Sequence, residues 1–279
     1  MAKEEVEITE FKRKANGIRK AIIEMLYRAG SGHPGGSLSI CELLTALYFD
    51  ELRVDPDEPH NPGRDRLILS KGHAAPALYA VLAQKGFFPE EELMRLRKSG
   101  SMLQGHPDWR KTPGVDISSG SLGLGVSFGL GVALGARFNG LTYRVWVLTG
   151  CGELDEGQNW EAFMAGAKFG LDNLTVIVDY NRLQLDGSNE EIMPLGNLQK
   201  KFEAFGWNVL SCNGHDFPEI FASFKAAKDK KGMPSVIIAD TVKGKGVSFM
   251  EHQCGWHGET VDDQAYINAL QELNQINEN

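Results

Sequence analysis

The 279 residues allow one large α/β domain or two small ones. With 42% hydrophobic and 24% charged residues, the chain has ample apolar material for a full core. Its net charge of −8 argues against nonspecific attraction to nucleic acid or to an anionic membrane, so a polyanionic ligand must be held by a local site.

Ile18, Ile22 and Leu26 share one face of a predicted helix over 11–29, with Gly30 as its stop. A turn at 31–36 leads to predicted helices over 37–50 and 73–85, and Pro89 opens a further one whose first turn carries Glu90, Glu91 and Glu92. The glycine-laced stretch 122–134 is shorter than the ~20 residues of a membrane span and reads as a buried helix. Beyond it the pattern becomes α/β: a strand over 143–148, a helix over 156–169, strands over 174–178 and 207–210, a helix over 217–230 and a strand over 235–239. A loop from about 251 and a short polar helix complete the chain.

Short apolar strands alternating with helices predict an α/β fold, a parallel sheet flanked by helices on both faces behind a helical N-terminal segment. Ligands of such sheets sit beyond the carboxyl ends of the strands, which directs attention to the loops after Leu148 and Val178. Cys41, Cys151, Cys212 and Cys254 form no C-x-x-C pair and suggest no zinc site. Scattered cysteines and a charged start without an apolar signal core lead us to expect a cytoplasmic protein.

The strongest motif is Thr149-Gly-Cys-Gly-Glu-Leu-Asp-Glu-Gly157, placed between a strand and a helix. Glycines there admit close backbone approach to a ligand, and the helix start presents free N–H groups. Asn181 follows Cys151 by thirty residues, just past the next strand, so both loops leave the same edge of a βαβ unit. An amide oxygen and a backbone carbonyl at that edge suit a hard cation beside a diphosphate; an ordinary glycine turn and a solvated asparagine is the plain alternative.

These blocks resemble transketolases. Gly150-x-Gly152 followed by Asn181 is similar to a thiamine diphosphate signature, and the text around it resembles transketolases specifically. So do Ser31-Gly-His-Pro-Gly-Gly-Ser37, Leu69-Ser-Lys-Gly-His73, Gly105-His-Pro107, Gly120-Ser-Leu-Gly123 and Trp256-His-Gly258, in the family's order. The resemblance implies a single diphosphate-binding domain over the whole chain. Gly152, Glu153 and Asn181 would contact the diphosphate, with Asn181 and the carbonyl of Leu183 on the metal, Mg²⁺ or Ca²⁺. His73 and His257 would approach the diphosphate and the reacting carbons, and His33 and His106 would line the substrate funnel. Gly120, Ser121 and Leu122 would meet the aminopyrimidine side, and Glu156 would face the subunit interface.

One departure stands out. The family carries aspartate where this chain has Cys151, and a thiol is a soft ligand where Mg²⁺ and Ca²⁺ want oxygen. Asp155, Glu153 or a water would complete the metal shell; or a softer metal would serve; or coenzyme binding is lost and the chain is a regulatory subunit.

The histidines divide. His60, His215 and His252 read as structural or surface groups, whereas His33, His73, His106 and His257 sit beside glycine or proline in loops and read as functional. Gly123-x-Gly125-x-x-x-Gly129 misses the dinucleotide spacing and reads as a helix packed closely at a subunit interface. Lys243-Gly-Lys-Gly246 lacks P-loop spacing and fits either a loop near the diphosphate or a solvated basic turn.

The family's second domain supplies a glutamate that touches the aminopyrimidine, and the resemblance places that domain on a partner chain, with an α2β2 assembly and sugar phosphates as substrates. The implied reaction moves a two-carbon ketol unit from a ketose to an aldose by breaking the C2–C3 bond. A sulfonated or branched sugar as substrate is the alternative; deoxyxylulose phosphate formation fits less well.

Overall fold

The computed structural model describes residues 2–276, with side chains from residue 6 onward. Five parallel strands form one sheet: β1 (Arg66–Leu69), β2 (Val145–Gly150), β3 (Leu174–Tyr180), β4 (Asn208–Asn213) and β5 (Ser235–Asp240), in the order β1-β2-β3-β5-β4. The helices are α1 (Ala2–Ala29), α2 (Pro34–Leu38), α3 (Cys41–Ala46), α4 (Ala75–Lys85), α5 (Gly125–Phe138), α6 (Gly157–Phe169), α7 (Asn189–Ile192), α8 (Leu198–Ala204), α9 (Phe217–Asp229) and α10 (Asp263–Gln275).

Strand periodicity sorts the core into two layers. Trp146 and Leu148 of β2, Ile177 of β3 and Ile237 of β5 point to a layer built with α1, α3, α4, α9 and α10. Val145, Val147, Val176, Val178 and Val236 point the other way, to a layer shared with α5, α6 and α8. A sheet buried on both faces explains why its central strands read as unbroken apolar runs.

Several elements differ from expectation. β1 was not expected: Arg-Leu-Ile-Leu is only four residues long, and its strand character comes from pairing with β2, Leu69 opposite Leu148. The segment after Pro89 is a 3₁₀ turn, Glu90–Arg95, not a full helix. The helix expected over 37–50 is interrupted, α3 starting after Ile40 and continuing as a π turn over Leu47–Glu51. The stretch read as a buried helix is buried on one side only. Gly129 of α5 lies against Val147 where no Cβ fits. The opposite face exposes Leu124, Phe128 and Phe138, the last to 86%. No helix among the described residues is long and apolar enough to cross a membrane.

Candidate active site

β2 and β3 pair with Gly150 opposite Asp179, so the turns that follow them open at one carboxyl edge. Cys151 begins a 3₁₀ turn over Gly152–Asp155, and Glu156 caps α6. Between these turns lies a crevice of about 230 Å³ whose walls include Lys71, His73, Leu122, Asn181, Lys243 and His257. A larger hollow of about 770 Å³ lies toward β4 and β5, but the Arg182–Asp240 ion pair stands within it and none of the four loop histidines lines it.

The crevice floor is an ionic cluster. Asp179 is fully buried and accepts hydrogen bonds from Lys71 Nζ at 2.6 Å, Ser39 Oγ at 2.8 Å, Asn181 Nδ2 at 2.7 Å and Thr241 Oγ1. Burial pushes its carboxyl upward, but Lys71 and the hydroxyl donors outweigh that and hold it below the usual range. Lys71 also donates to the carbonyl of Gly36 at 2.6 Å, which ties α2 to the crevice. A Cβ at Gly36 would meet His73 Nε2 at 3.3 Å, and one at Gly152 would meet Gln184 Cγ at 2.8 Å; glycine keeps both walls open to a ligand.

Lys243 is 2% exposed. Its Nζ donates to the carbonyl of Gln184 at 2.7 Å and to His257 Nδ1 at 3.2 Å, and no carboxylate pairs with it among the described residues. Burial lowers its pKa to about 8. Lys243 thus brings the basic segment 243–246 to the crevice, while Lys245 faces elsewhere, partly exposed and 3.3 Å from Glu251.

The four loop histidines gather at the crevice mouth. Ring centroids are 5.0 Å apart for His73–His257, 5.3 Å for His33–His73 and for His33–His257, and 6.5 Å for His33–His106. Burial lowers the pKa of His33 and His257 to about 4 and depresses His73 and His106 too, with Lys71, Lys243 and Arg97 adding like-charge repulsion. All four are therefore neutral near pH 7. His33 Nδ1 is buried without a hydrogen-bond partner, an atom poised for a ligand.

The remaining expected residues are placed as follows. Glu153 is among the crevice-lining residues, and its carboxylate accepts from Ser70 Oγ, from Gly123 N at 2.9 Å and from Gly150 N at 3.1 Å, so it braces the loop after Gly120. Asp155 accepts from Gln184 Nε2 at 2.8 Å. Leu122 lines the crevice, while Gly120 lies against the His106 ring and Ser121 is exposed beside it. Glu156 is exposed at the start of α6, beside Gly123 in the turn that leads into α5. Cys151 Sγ lies 3.7 Å from Asn181 Oδ1 and 3.8 Å from Asn189 Oδ1, 1% exposed, and burial raises its pKa, so it is a protonated thiol. Among the described residues no group of three or more His, Cys, Asp or Glu side chains can hold a metal ion. Lys71, Asp179, Ser39 and Arg97 received no role from the sequence; Lys71 lies inside the Ser-Lys-Gly-His block, but nothing in that text tells a buried lysine from a solvated one.

A parallel sheet with glycine walls, buried ammonium groups and neutral imidazoles at its carboxyl edge defines a binding domain for a phosphorylated coenzyme. Residues 11–276 match the transketolase thiamine diphosphate binding domain. The chain is 46% identical to the 6-deoxy-6-sulfo-D-fructose transketolase subunit SqwG of Clostridium sp. strain MSTE9, over 95% of this chain and 96% of that one. It is 42% identical to an apulose-4-phosphate transketolase subunit of Phocaeicola vulgatus, over 97% and 95%. Transketolase from Campylobacter jejuni superposes with a TM-score of 0.89 at 32% identity, over 95% of this chain but 42% of that longer one. The chain belongs to the transketolase family, as the counterpart of its N-terminal, thiamine diphosphate-binding part.

Proposed function

We propose that this chain holds the diphosphate end of thiamine diphosphate in a two-chain transketolase that moves a two-carbon ketol unit from a ketose phosphate to an aldose phosphate. The observation that carries the reading is the Lys71–Lys243 crevice with its glycine walls, lined by His73 and His257 with His33 and His106 beside them. When bound, the coenzyme supplies a nucleophilic carbon and then an electron sink. The chain's own residues do the rest. Lys243 offers an ammonium without a carboxylate partner to the diphosphate, and Gly36 and Gly152 let the phosphates approach the backbone. Asn181 Oδ1 and the carbonyl of Leu183 would hold Mg²⁺ or Ca²⁺, with phosphate oxygens and water completing a shell to which Cys151 adds no charge. Neutral His33, His73, His106 and His257 would orient sugar hydroxyls and move protons between them. The intact ammonium groups and open glycine walls count against a regulatory subunit devoid of coenzyme.

The partner would be a chain carrying the pyrimidine-side domain, in an α2β2 assembly that covers Glu156 and the bare face of α5. Both named relatives are subunits of transketolases, which supports this division of labour. Their names also favour a second reading of the substrate, a sulfonated or branched sugar in place of an ordinary pentose phosphate. Free thiols at all four cysteines accord with a cytoplasmic setting.

Co-expression with the product of a neighbouring gene, followed by assay on xylulose 5-phosphate with ribose 5-phosphate and on 6-deoxy-6-sulfofructose, tests the proposal. Turnover is expected only from the pair, and only with thiamine diphosphate present. Full activity from the purified single chain, or a pair with no affinity for the coenzyme, would overturn it.

A further inference from the structure

Lys243 rides on a strap that leaves β5, crosses the mouth of the crevice and turns at Gly244, whose φ of 82° and close approach to the Met250 carbonyl exclude a side chain. Burying an ammonium with no carboxylate partner is unfavourable, so something outside the crevice must hold the strap against its tendency to release Lys243 into water. The structure offers a buried ionic group at that place. Arg19 of α1 donates from Nη2 to both carboxylate oxygens of Glu42 of α3, at 2.6 and 2.7 Å. Glu42 accepts from His215 Nδ1 at 2.9 Å, and His215 Nε2 accepts from the backbone N–H of Val242 at 2.9 Å. Arg19 Nε donates to the carbonyl of Lys245 at 2.9 Å. The group therefore grips the strap at two points, one residue before Lys243 and two residues after it.

We propose that Arg19, Glu42 and His215 are positioning residues, a bracket that holds the backbone at Val242 and Lys245 so that the Lys243 ammonium stays in the crevice. None of the three lines the crevice. The chemistry of the bracket is specific. A carboxylate at Nδ1 fixes the Nδ1–H tautomer, and only that tautomer leaves Nε2 free to accept the Val242 N–H. Glu42 is suited to this: burial pushes its carboxyl up, but Arg19 and the His215 hydrogen bond bring it down to about 2, so it stays ionised. Only in identifying the crevice with the coenzyme does the inference rest on the function proposed above.

Two side chains separate the roles of the two ring nitrogens. In His215→Asn the amide keeps a donor toward Glu42 and loses the acceptor for Val242. In His215→Gln an amide oxygen reaches the Nε2 position. With the full chain alone, carrying ¹³Cε-labelled lysine, the Lys243 ammonium is titrated against pH by NMR, its resonance assigned with Lys243→Met. The wild-type midpoint is expected near 8. His215→Asn should move it up toward the ordinary lysine value of 10.5, and His215→Gln should leave it near wild type. Glu42→Gln, which removes the carboxylate and keeps the shape, should shift it upward as well and serves if His215→Asn does not fold. In the co-expressed pair, calorimetry with thiamine diphosphate and Mg²⁺ should show about tenfold or more weaker binding for His215→Asn and near-native binding for His215→Gln. A merely structural role would lower stability without moving the Lys243 titration. An unshifted midpoint in both His215→Asn and Glu42→Gln overturns the bracket. A wild-type pair that ignores the coenzyme overturns the function proposed above, and the titration result still decides the bracket.

Discussion

The Lys71 ammonium lies 2.6 Å from the Asp179 carboxylate beneath the crevice, the lysine side chain 2% exposed and the aspartate fully buried. Taking two charges out of water is costly, and the pair persists because Ser39, Asn181, Thr241 and the carbonyl of Gly36 satisfy its remaining hydrogen-bonding capacity. Breaking such a pair from one side leaves an uncompensated charge, at a cost of about 3–5 kcal/mol. Lys71→Met should lower the unfolding free energy in urea by that amount. Lys71→Met with Asp179→Asn should recover part of the loss, because the aspartate charge is gone while an acceptor remains. A loss under about 1 kcal/mol for the single variant would show the pair to be solvated.

Lys243 gives the site a pH dependence whose sign follows from its depressed pKa. The ammonium is charged below about 8 and neutral above it. Affinity for an anionic coenzyme should therefore fall as pH rises through 8, and binding near that pH should take up a proton, since the bound diphosphate favours the charged form. Isothermal titrations in buffers of different ionisation enthalpy would detect that uptake. Lys243→Met removes a charge-assisted hydrogen bond worth about 1.5–3 kcal/mol, so it should weaken binding by roughly ten- to a hundredfold and flatten the pH dependence. Equal pH profiles for the two proteins would place the coenzyme away from Lys243.

The ligand-bearing edge was legible in the sequence because two local signals coincide there: an apolar strand ends at each turn, and glycines follow the first. Gly152, Asn181 and the four loop histidines all come to the predicted end of the sheet. What was not legible depends on pairing across the chain. β1 has too few residues to announce itself and is a strand because β2 lies beside it. Lys71 and Asp179 are 108 positions apart, and neither residue type hints at burial until the other is in place. Glu153 shows the same dependence: the sequence offers only a carboxylate in a glycine loop, and tertiary contacts set it against Ser70 and the backbone N–H groups of Gly123 and Gly150.

His33 should act on the sugar more than on the coenzyme. Its ring meets both His73 and His106, its Nδ1 has no partner, and it does not line the diphosphate crevice. With its pKa near 4 it stays neutral through the range where an ordinary histidine becomes charged. The acid limb of kcat/KM attributable to this residue should accordingly fall well below pH 6.5. His33→Ala should reduce kcat/KM by about 10²- to 10⁴-fold, the range for a lost proton-transfer group, while coenzyme affinity changes by only a few fold. A coenzyme defect as large as the kinetic one would move His33 from the substrate to the coenzyme.

Cys151 sets how strongly the coenzyme depends on a divalent ion. Its thiol is protonated, buried and within 4 Å of the amide oxygens of Asn181 and Asn189, so the protein brings neutral donors to a place where a hard cation prefers anionic oxygen. Cys151→Asp would put a carboxylate against those same oxygens. Without metal, the buried like-polarity contact should destabilise the chain by about 1–3 kcal/mol; with Mg²⁺ or Ca²⁺ that loss should be reversed, because the carboxylate and Asn181 now share the ion. Thermal unfolding of the variant should thus become metal-dependent while the native chain alone responds little. In the reconstituted pair, the Mg²⁺ concentration needed for half-maximal coenzyme binding should fall by about tenfold or more. A variant that unfolds at the same temperature with and without either ion would mean that position 151 does not face the cation.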